Sequence, residues 1–572
     1  MKSGHARTQD DPLTTRVLAD PGSGAGPLPE QPTESAPTQQ PVATGRQRLA
    51  INTAIVGGAI VLSRVLGLVR EAVIAGQFGT TEQKDAYVAA FRVPDTLFLL
   101  IIGGAVGSAF IPVFTGLMGK GEENKAWNLA STLINASVVL LSLGGIIMGF
   151  AAPALVGMIV APGLTPQQEA LTVELLRILL LSPLFMGLGG WAMGILNARQ
   201  HFALPALAPV FYNLAIIAGA VFLAPIFGIH GVAIGVVAGA LLHFGVQLPG
   251  LRRVGMRYHL RLNVRDAGAA EVGKLLLPRI VGQAAFQTNI VAMTSIASFL
   301  PRGSISALDY SYMLMILPHG VFAMSLATVT FPTMAAQYAE GNLDGVRRTL
   351  ARAVKVLLFL IIPSAVGLFL LRSEIVASLF RFGLFGEEST ALVADSLGFF
   401  ALGLVAYAVV EVLTRGFYAL HDTATPVAVS VGTVLLNLSI SWALVAGIGW
   451  RSHVALALSL AITTTVEMVL MWVLLGRKLP GWTLRREGLL PSISKSALAA
   501  AAMGIVLFGL LYLLHALLPG SSTDKLEAIA LVVAGIGAGG LVYLLVAKAL
   551  RSEEVEEATG LLLRRIRRGK RD

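Results

Sequence analysis

Charged residues stand inside stretches of this chain that are otherwise apolar enough to cross a bilayer, and any chemistry must begin with them. Arg64, Arg70 and Glu71 lie in the run that starts near Ile51, Arg92 and Asp95 flank Pro94 in the second run, and Arg279 sits in the seventh ahead of Gln283, Gln287 and Asn289. An ion in hydrocarbon costs on the order of several kcal/mol unless it pairs or faces water, so each is a candidate for function. On an ideal helix Arg64 and Glu71 share a face and Arg70 lies off it; a bend or unwinding near Gly67 would bring all three to one cavity. The competing reading is that Arg70 and Glu71 merely satisfy themselves locally. Pro94 frees a backbone carbonyl, so Arg92 and Asp95 fit either a polar pocket or a pair that stabilises a kink. Gln283 and Gln287 share the face of Arg279, which reads as a cavity-facing stripe more readily than as contacts between helices.

Guanidinium groups stay charged and present a rigid fork that matches anionic oxygens, so these spans point to an anionic substrate. A diphosphate on a lipid fits, its head in the cavity and its tail in the bilayer. Arg177, Glu411, Arg415 and Glu467 are further ionisable candidates, with Arg415 near a helix end. His243 and His319 are lone histidines, expected to serve as packing or hydrogen-bonding groups. The pairs Gly103-Gly104 and Gly189-Gly190 read as packing or hinge positions. The absence of cysteine excludes disulfides and thiolate chemistry. Without a phosphate-binding glycine loop or a metal-ligand pattern, no cofactor, no metal and no nucleotide hydrolysis are expected.

The elements that must carry these residues are transmembrane helices. Hydrophobic residues make up 55% of the 572 positions and charged residues 13%, and runs of the ~20 residues that a helical crossing needs recur about fourteen times. The runs at 127–160 and 349–384 exceed that need, as a tilted helix with a surface extension or a split pair would. Residues 1–46, rich in Pro, Gly, Ser, Thr and Gln, read as a disordered tail, not a cleaved leader. Arg and Lys concentrate in connections after even-numbered runs (Lys120, Lys125, Arg252, Arg253, Arg347, Arg348, Arg477, Lys478) and in the final tail, which places both termini in the cytoplasm. That bias also accounts for the net charge of +10 without nucleic acid.

The chain repeats itself. Ser63-Arg64-Val65-Leu66-Gly67 resembles Pro278-Arg279-Ile280-Val281-Gly282, Asp85 precedes Pro94 as Asp309 precedes Pro318, and Gly194 to Leu214 echoes Gly416 to Leu438 with a closing Asn-Leu. The expected fold is all-α and integral to the membrane: two pseudo-symmetric six-helix lobes plus two C-terminal helices. The boundaries are a tail at 1–46, a first lobe with its basic linker at 47–265, a second lobe with its basic loop at 266–486, the last two helices at 487–550 and a basic tail at 551–572.

Ser63 to Glu71, Asp85-Ala86-Tyr87, Phe91-Arg92-Val93-Pro94-Asp95, Gly107 to Phe114, Gly194-Ile195-Leu196-Asn197 and Phe202 to Ala206 together resemble the MurJ (MviN) family of lipid II flippases, of the multidrug/oligosaccharidyl-lipid/polysaccharide exporter superfamily. The resemblance runs from about Ile51 to the end. It implies a monomeric alternating-access carrier in the bacterial inner membrane that moves undecaprenyl-diphosphate-linked peptidoglycan precursor to the outer leaflet. The partners it implies are that lipid, membrane lipids and a coupling ion. It also implies that the two C-terminal helices form a groove for the lipid tail. Arg64, Arg70, Glu71 and Asp85 match family positions; Phe98 and Met313 stand where members often carry Arg, and Arg92 and Arg279 are the cations placed to replace them. A flippase for another polyprenyl-diphosphate glycan, a drug antiporter of the same superfamily and a non-transporting scaffold are the alternatives. A membrane glycosyltransferase would need acidic pairs in sizeable outer loops, and the loops are short.

Overall fold

The computed structural model describes residues 43–103, 106–263, 267–517 and 525–556, and every element among them is helical or a turn. Most of the 1–46 tail and the 557–572 part of the basic tail lie outside the described residues. Residues 1–51 form one unit and Asn52–Asp572 a second, compact one. Eleven helices are long and apolar enough to cross a membrane: α3 (Glu123–Phe150), α4 (Pro166–Ala198), α5 (Ala203–Phe227), α6 (Ile229–Arg253), α8 (Ser304–Ala339), α9 (Leu343–Leu370), α10 (Glu387–Ala419), α11 (Ala424–Gly447), α12 (His453–Lys478), α13 (Leu489–Leu513) and α14 (Lys525–Ala549). Beside them stand α1 (Ala43–Phe78), α2 (Glu82–Ile101) and α7 (Ala267–Ala297). These three carry Arg64, Arg70, Glu71, Arg92, Asp95, Gln283 and Gln287.

Lipid gives helices no hydrophobic reason to associate, so close packing at small residues must hold the bundle. A β-carbon on Gly219 of α5 would lie 2.7 Å from Cα of Gly235 of α6, and one on Gly403 of α10 would lie 2.8 Å from Cα of Ala461 of α12. Both glycines are required by backbone contact. Gly189 likewise abuts the His243 ring, so it is a packing position. Buried apolar residues gather in three clusters: one mainly from 74 to 305, with edge-to-face pairs Phe110–Trp191 and Phe114–Trp127; one mainly from 307 to 489; and one where α13 and α14 meet α9. Tyr543 fastens that third cluster by donating to the Phe359 carbonyl at 2.7 Å.

The long runs resolve into helix plus short segment. The 127–160 run is α3, a break at Ala151 and a π-turn at Val156–Val160; the 349–384 run is α9, a break at Leu371 and the short helix Arg372–Phe380. Widened π-turns recur at matching places in the two halves of the sequence, Gly219–Leu223 in α5 with Ala443–Gly447 in α11; two more, Val106–Phe110 after α2 and His319–Ala323 in α8, do not match each other. The last follows Pro318, whose ring and missing N–H disrupt the normal helical ladder.

Candidate functional site

Helix α1 runs without a break through Gly67, so the unwinding expected there does not occur. Arg70 instead forks onto its own neighbour, with Nη2 and Nε 2.8 and 3.1 Å from Oε1 of Glu71, and its Nη1 donates to Asn213 Oδ1 of α5 at 3.1 Å. The Asn213 amide turns back to the Ser63 carbonyl at 3.1 Å, which ties α5 to α1 twice. Lys84 completes the group from α2. It is 1% exposed, its ammonium lies 3.3 Å from Glu71 Oε2, and it sits 4.6 Å from the ring centroid of Tyr310 of α8. A lysine buried so completely is tolerated only where a carboxylate and aromatic faces replace water. Lys84 is thirteen residues from Glu71, and the turn at 79–81 brings them together.

Arg64 stands apart. It is exposed, has no hydrogen-bonding or ion-pair partner among the described residues, and its Nη1 would lie 3.9 Å from a β-carbon on Gly320 of α8. Of the two arginines in the apolar run of α1, Arg70 is therefore compensated and Arg64 available.

Asp85 is buried and committed to capping. Its carboxylate accepts from the Gly303 N–H at 2.7 Å, the Ser306 N–H at 2.8 Å and the Ser306 hydroxyl at 2.7 Å, satisfying the open N-terminus of α8 from across the molecule. Gly303 holds φ of +83°, a left-handed turn that brings both N–H groups toward one carboxylate. Thr80 and Ser389 (hydroxyls 2.8 Å apart), Leu384 N–H to the Gly76 carbonyl (2.7 Å) and Gly163 N–H to Ser298 (2.9 Å) join the two halves at the same end. Deeper in, Arg92 donates to Asp309 of α8 at 2.9 Å and to Thr294 of α7 at 3.1 Å. Arg92 is thus matched by a carboxylate and adds no free charge in place of the arginines absent at Phe98 and Met313. Asp309 was visible in the sequence only as a repeat marker. Asp95, on the other side of Pro94, faces Gln287.

The expected stripe on α7 divides. Gln287 is 3% exposed and donates to Thr96 of α2 at 3.3 Å, so it joins helices and does not line the main cavity. Gln283 is half-buried; Arg279 belongs to α7 but its side chain lies outside the described residues. The face that opens onto the main cavity is Gly282, Phe286, Asn289 and Met293, rotated by about one residue, or about 100°. That cavity, about 380 Å³, lies among α7, α8, α10, α11 and α12 with Arg92 and Asp309 at its edge and His319, Glu411 and Glu467 in its wall. Arg415 pairs with Glu411 at 2.9 Å, and Arg177 donates to the Gly149 carbonyl. An apolar groove of about 600 Å³ runs between α9, α10 and α13, lined by Ile362, Val366, Phe369, Leu402, Gly504 and Phe508. The expected pair α13 and α14 contributes only α13 to it, because α14 packs on the outer side against α13 and Arg372–Phe380.

A helical membrane protein whose two halves close on each other at one end has the architecture of alternating-access transporters. Its fold is similar to that of a multidrug resistance MATE family transporter of the MOP superfamily solved in an inward-facing conformation (TM-score 0.62, 15% identity, 73% of this chain and 94% of that one). The family is narrower. The model of the lipid II flippase MurJ family matches residues 74–525, and the chain belongs to that family. It is 32% identical over 443 residues to the lipid II flippase MurJ of Burkholderia cenocepacia (75% of this chain, 84% of the relative), and 30% identical over 531 residues to the probable lipid II flippase MurJ of Vibrio cholerae (90% and 99%). A solved lipid II flippase MurJ in an inward closed conformation superimposes with a TM-score of 0.72 at 25% identity, covering 87% of this chain and 98% of that one.

Proposed function

We propose that this multi-pass membrane protein is a lipid II flippase of the bacterial inner membrane, carrying undecaprenyl-diphosphate-linked peptidoglycan precursor from the inner to the outer leaflet by alternating access. The observation that carries the reading is Arg64: an arginine without a carboxylate partner among the described residues, beside α8, in a member of this family. Family membership supplies the substrate class, and a free guanidinium supplies what a diphosphate head needs.

In this reading α1, α2 and α7 join the eleven apolar helices as crossings, giving fourteen, with α1–α6 and α7–α12 as two lobes and both termini in the cytoplasm. The contacts from Gly76 to Ser389 then form the outer gate in its closed state, and the groove beside α13 takes part of the polyprenyl tail. The protein carries its substrate unchanged, as a monomer, and is not an enzyme. Arg64, Arg70, Glu71, Asp85, Arg92, Asp95, Arg279 and Gln283 remain the residues proposed for substrate handling. Arg64 and Arg279 meet the head; Arg70, Glu71 and Asp85 hold the gate; Arg92, Asp95 and Gln283 line the path between the lobes.

The test is growth rescue when a host's own lipid II flippase is depleted, scored beside Arg64→Ala at equal membrane abundance. Losing one charge-assisted contact of about 1.5–3 kcal/mol is expected to cut transport about 10- to 100-fold. Rescue by both forms would remove Arg64 from the mechanism. Failure of a well-inserted parent would favour another polyprenyl-diphosphate glycan, consistent with Phe98 and Met313.

A further inference from the structure

His319 is a buried imidazole without a partner. It is 5% exposed, and neither ring nitrogen has a hydrogen-bond partner. It opens the π-turn His319–Ala323 in the middle of α8 and lines the 380 Å³ cavity with its ring 4.8 Å, edge to face, from Tyr407. Two idle nitrogens at that depth are costly, and buried polar groups are left unpaired in proteins mainly where a transient partner arrives.

Across the same cavity stands Glu467, near the middle of α12. Its Oε1 accepts from the Ser430 hydroxyl at 2.7 Å, and among the described residues no Lys or Arg pairs with it. A carboxylate at mid-membrane held only by hydroxyls is poised to bind a positive charge. The other groups that face His319 or its cavity are these. Helix α10 gives Glu411, already paired with Arg415, and Tyr407, whose hydroxyl lies 3.0 Å from that of Tyr312 of α8; Asp309 of α8 is paired with Arg92 of α2. Among the described residues that line the cavity, α7 and α11 contribute neutral side chains, Asn289, Ser430, Thr433 and Asn437 among them. Helix α9, packed against the π-turn, carries its charges at the far end, from Asp344 to Lys355, and the 324–339 part of α8 carries none. On the other side of the π-turn is Arg64, next to Gly320.

We propose that the α8–α10–α12 cavity is a proton-binding site in which Glu467 takes the proton and His319 receives it or passes it on. An alkali cation fits less well. An imidazole is a poor ligand for a hard ion, so the unpartnered His319 ring points to a proton. The proton is bound at one oxygen of Glu467 and returned to water, so no bond other than O–H or N–H is made or broken. Because His319 opens the π-turn that Gly320 continues, and Arg64 lies beside Gly320, a diphosphate drawn to Arg64 and a proton on the cavity side act on the same turn of α8. That coupling rests on the flippase reading; the proton site itself does not.

Two measurements separate them. Infrared difference spectra of the full-length protein in lipid, taken without substrate between pH 8 and pH 5, are expected to show the carbonyl stretch of a protonated buried carboxyl that vanishes in Glu467→Gln and shifts in His319→Gln. Glu467→Gln is isosteric and keeps a partner for Ser430, and His319→Gln tests the site should the first variant misfold. A spectrum unchanged by either substitution, or a band governed by sodium at fixed pH, overturns the proposal. The second is lipid II transport into vesicles from pH 6 to pH 8. The parent is expected to change by about tenfold per pH unit near the titration of one proton, and Glu467→Gln to be flat. If the infrared band behaves as expected but no transport occurs, the flippase reading fails and the proton site stands. Equal pH dependence in parent and variant overturns the coupling.

Discussion

Asn213 and Asn437 occupy matching positions in the two halves, and each ties the fifth helix of its half to the first, yet they serve opposite electrostatics. Asn213 of α5 accepts from Arg70 and sits beside an ionic chain of Arg70, Glu71 and Lys84. Asn437 of α11 donates to Asn289 of α7 at 2.9 Å and accepts from Ser459 at 2.8 Å, with Thr463 alongside, a node with no charge at all. The first half places cations and its carboxylate at the junction, while the second keeps the junction neutral and puts free carboxylate and imidazole into a cavity. The two halves thus divide their chemistry, and under the proposed reading an anion and a proton need not compete for one site.

The largest expected effect attacks the ionic node. Glu71→Gln leaves Arg70 and the fully buried Lys84 without their carboxylate, and uncompensated buried charge is expected to cost about 3 kcal/mol. Thermal unfolding of the purified protein measures it, with Glu411→Gln as the counterpart from the second half. Glu411 is half-buried and pairs one turn away on its own helix, so its loss is expected to cost well under about 1 kcal/mol. Equal losses would end the claim that the halves differ.

The asparagine pair itself comes next. Asn437→Leu strands the Asn289 amide oxygen, leaves the Ser459 hydroxyl only its bond to the residue-437 backbone carbonyl, and is expected to cost about 2 kcal/mol. Asn213→Leu strands the Ser63 carbonyl but leaves Arg70 with Glu71, so the expected cost is about 1 kcal/mol. The reverse order would mean that the charged node depends on its asparagine more than its geometry indicates.

How much of this was legible beforehand depends on whether a residue's partner is near in sequence. The helices were, because ~20-residue apolar runs have no other stable form in lipid. Arg64, Arg70, Glu71, Arg92 and Asp95 were, because charge against an apolar background is conspicuous. Their assignments were not: Arg92 meets Asp309 and Asp85 meets Gly303 and Ser306 only after more than two hundred residues fold back. The same gap explains Gln287, whose direction on α7 is set by its contact with α2. His319 and Glu467 were noticed one at a time, and only the π-turn and the cavity put them together.

Asp85 allows the closed end to be loosened by a graded amount. In Asp85→Asn the hydrogen bonds to Ser306 can persist, but the charge opposite the α8 N-terminus goes, which is worth about 1 kcal/mol. Because the chain has no cysteine, Thr80→Cys with Ser389→Cys reports closure directly: those hydroxyls are 2.8 Å apart, and oxidation should join the pair rapidly. Asp85→Asn is expected to slow that joining about fivefold, the factor for 1 kcal/mol. An unchanged rate would show that Thr80, Gly76 and Gly163 hold the end closed without the cap.

The smallest effect lies at the opposite, basic end, where Asp422 between α10 and α11 meets Lys478 at 2.8 Å. Burial alone would push this carboxyl up, but the Lys478 ammonium and the Thr425 N–H and hydroxyl outweigh it and hold it at about 2, below its ordinary 3.8. A depressed folded-state value means that the pair contributes fully above about pH 4 and loses its contribution as pH falls from about 4 toward 2. Lys478 is 44% exposed, so water screens the pair and its worth is under about 1 kcal/mol. Melting curves of parent and Asp422→Asn should therefore run parallel from pH 5 to 8, separated by a small constant, and converge below pH 4. If they converged nearer neutrality, the group being titrated would have to be something other than this carboxylate.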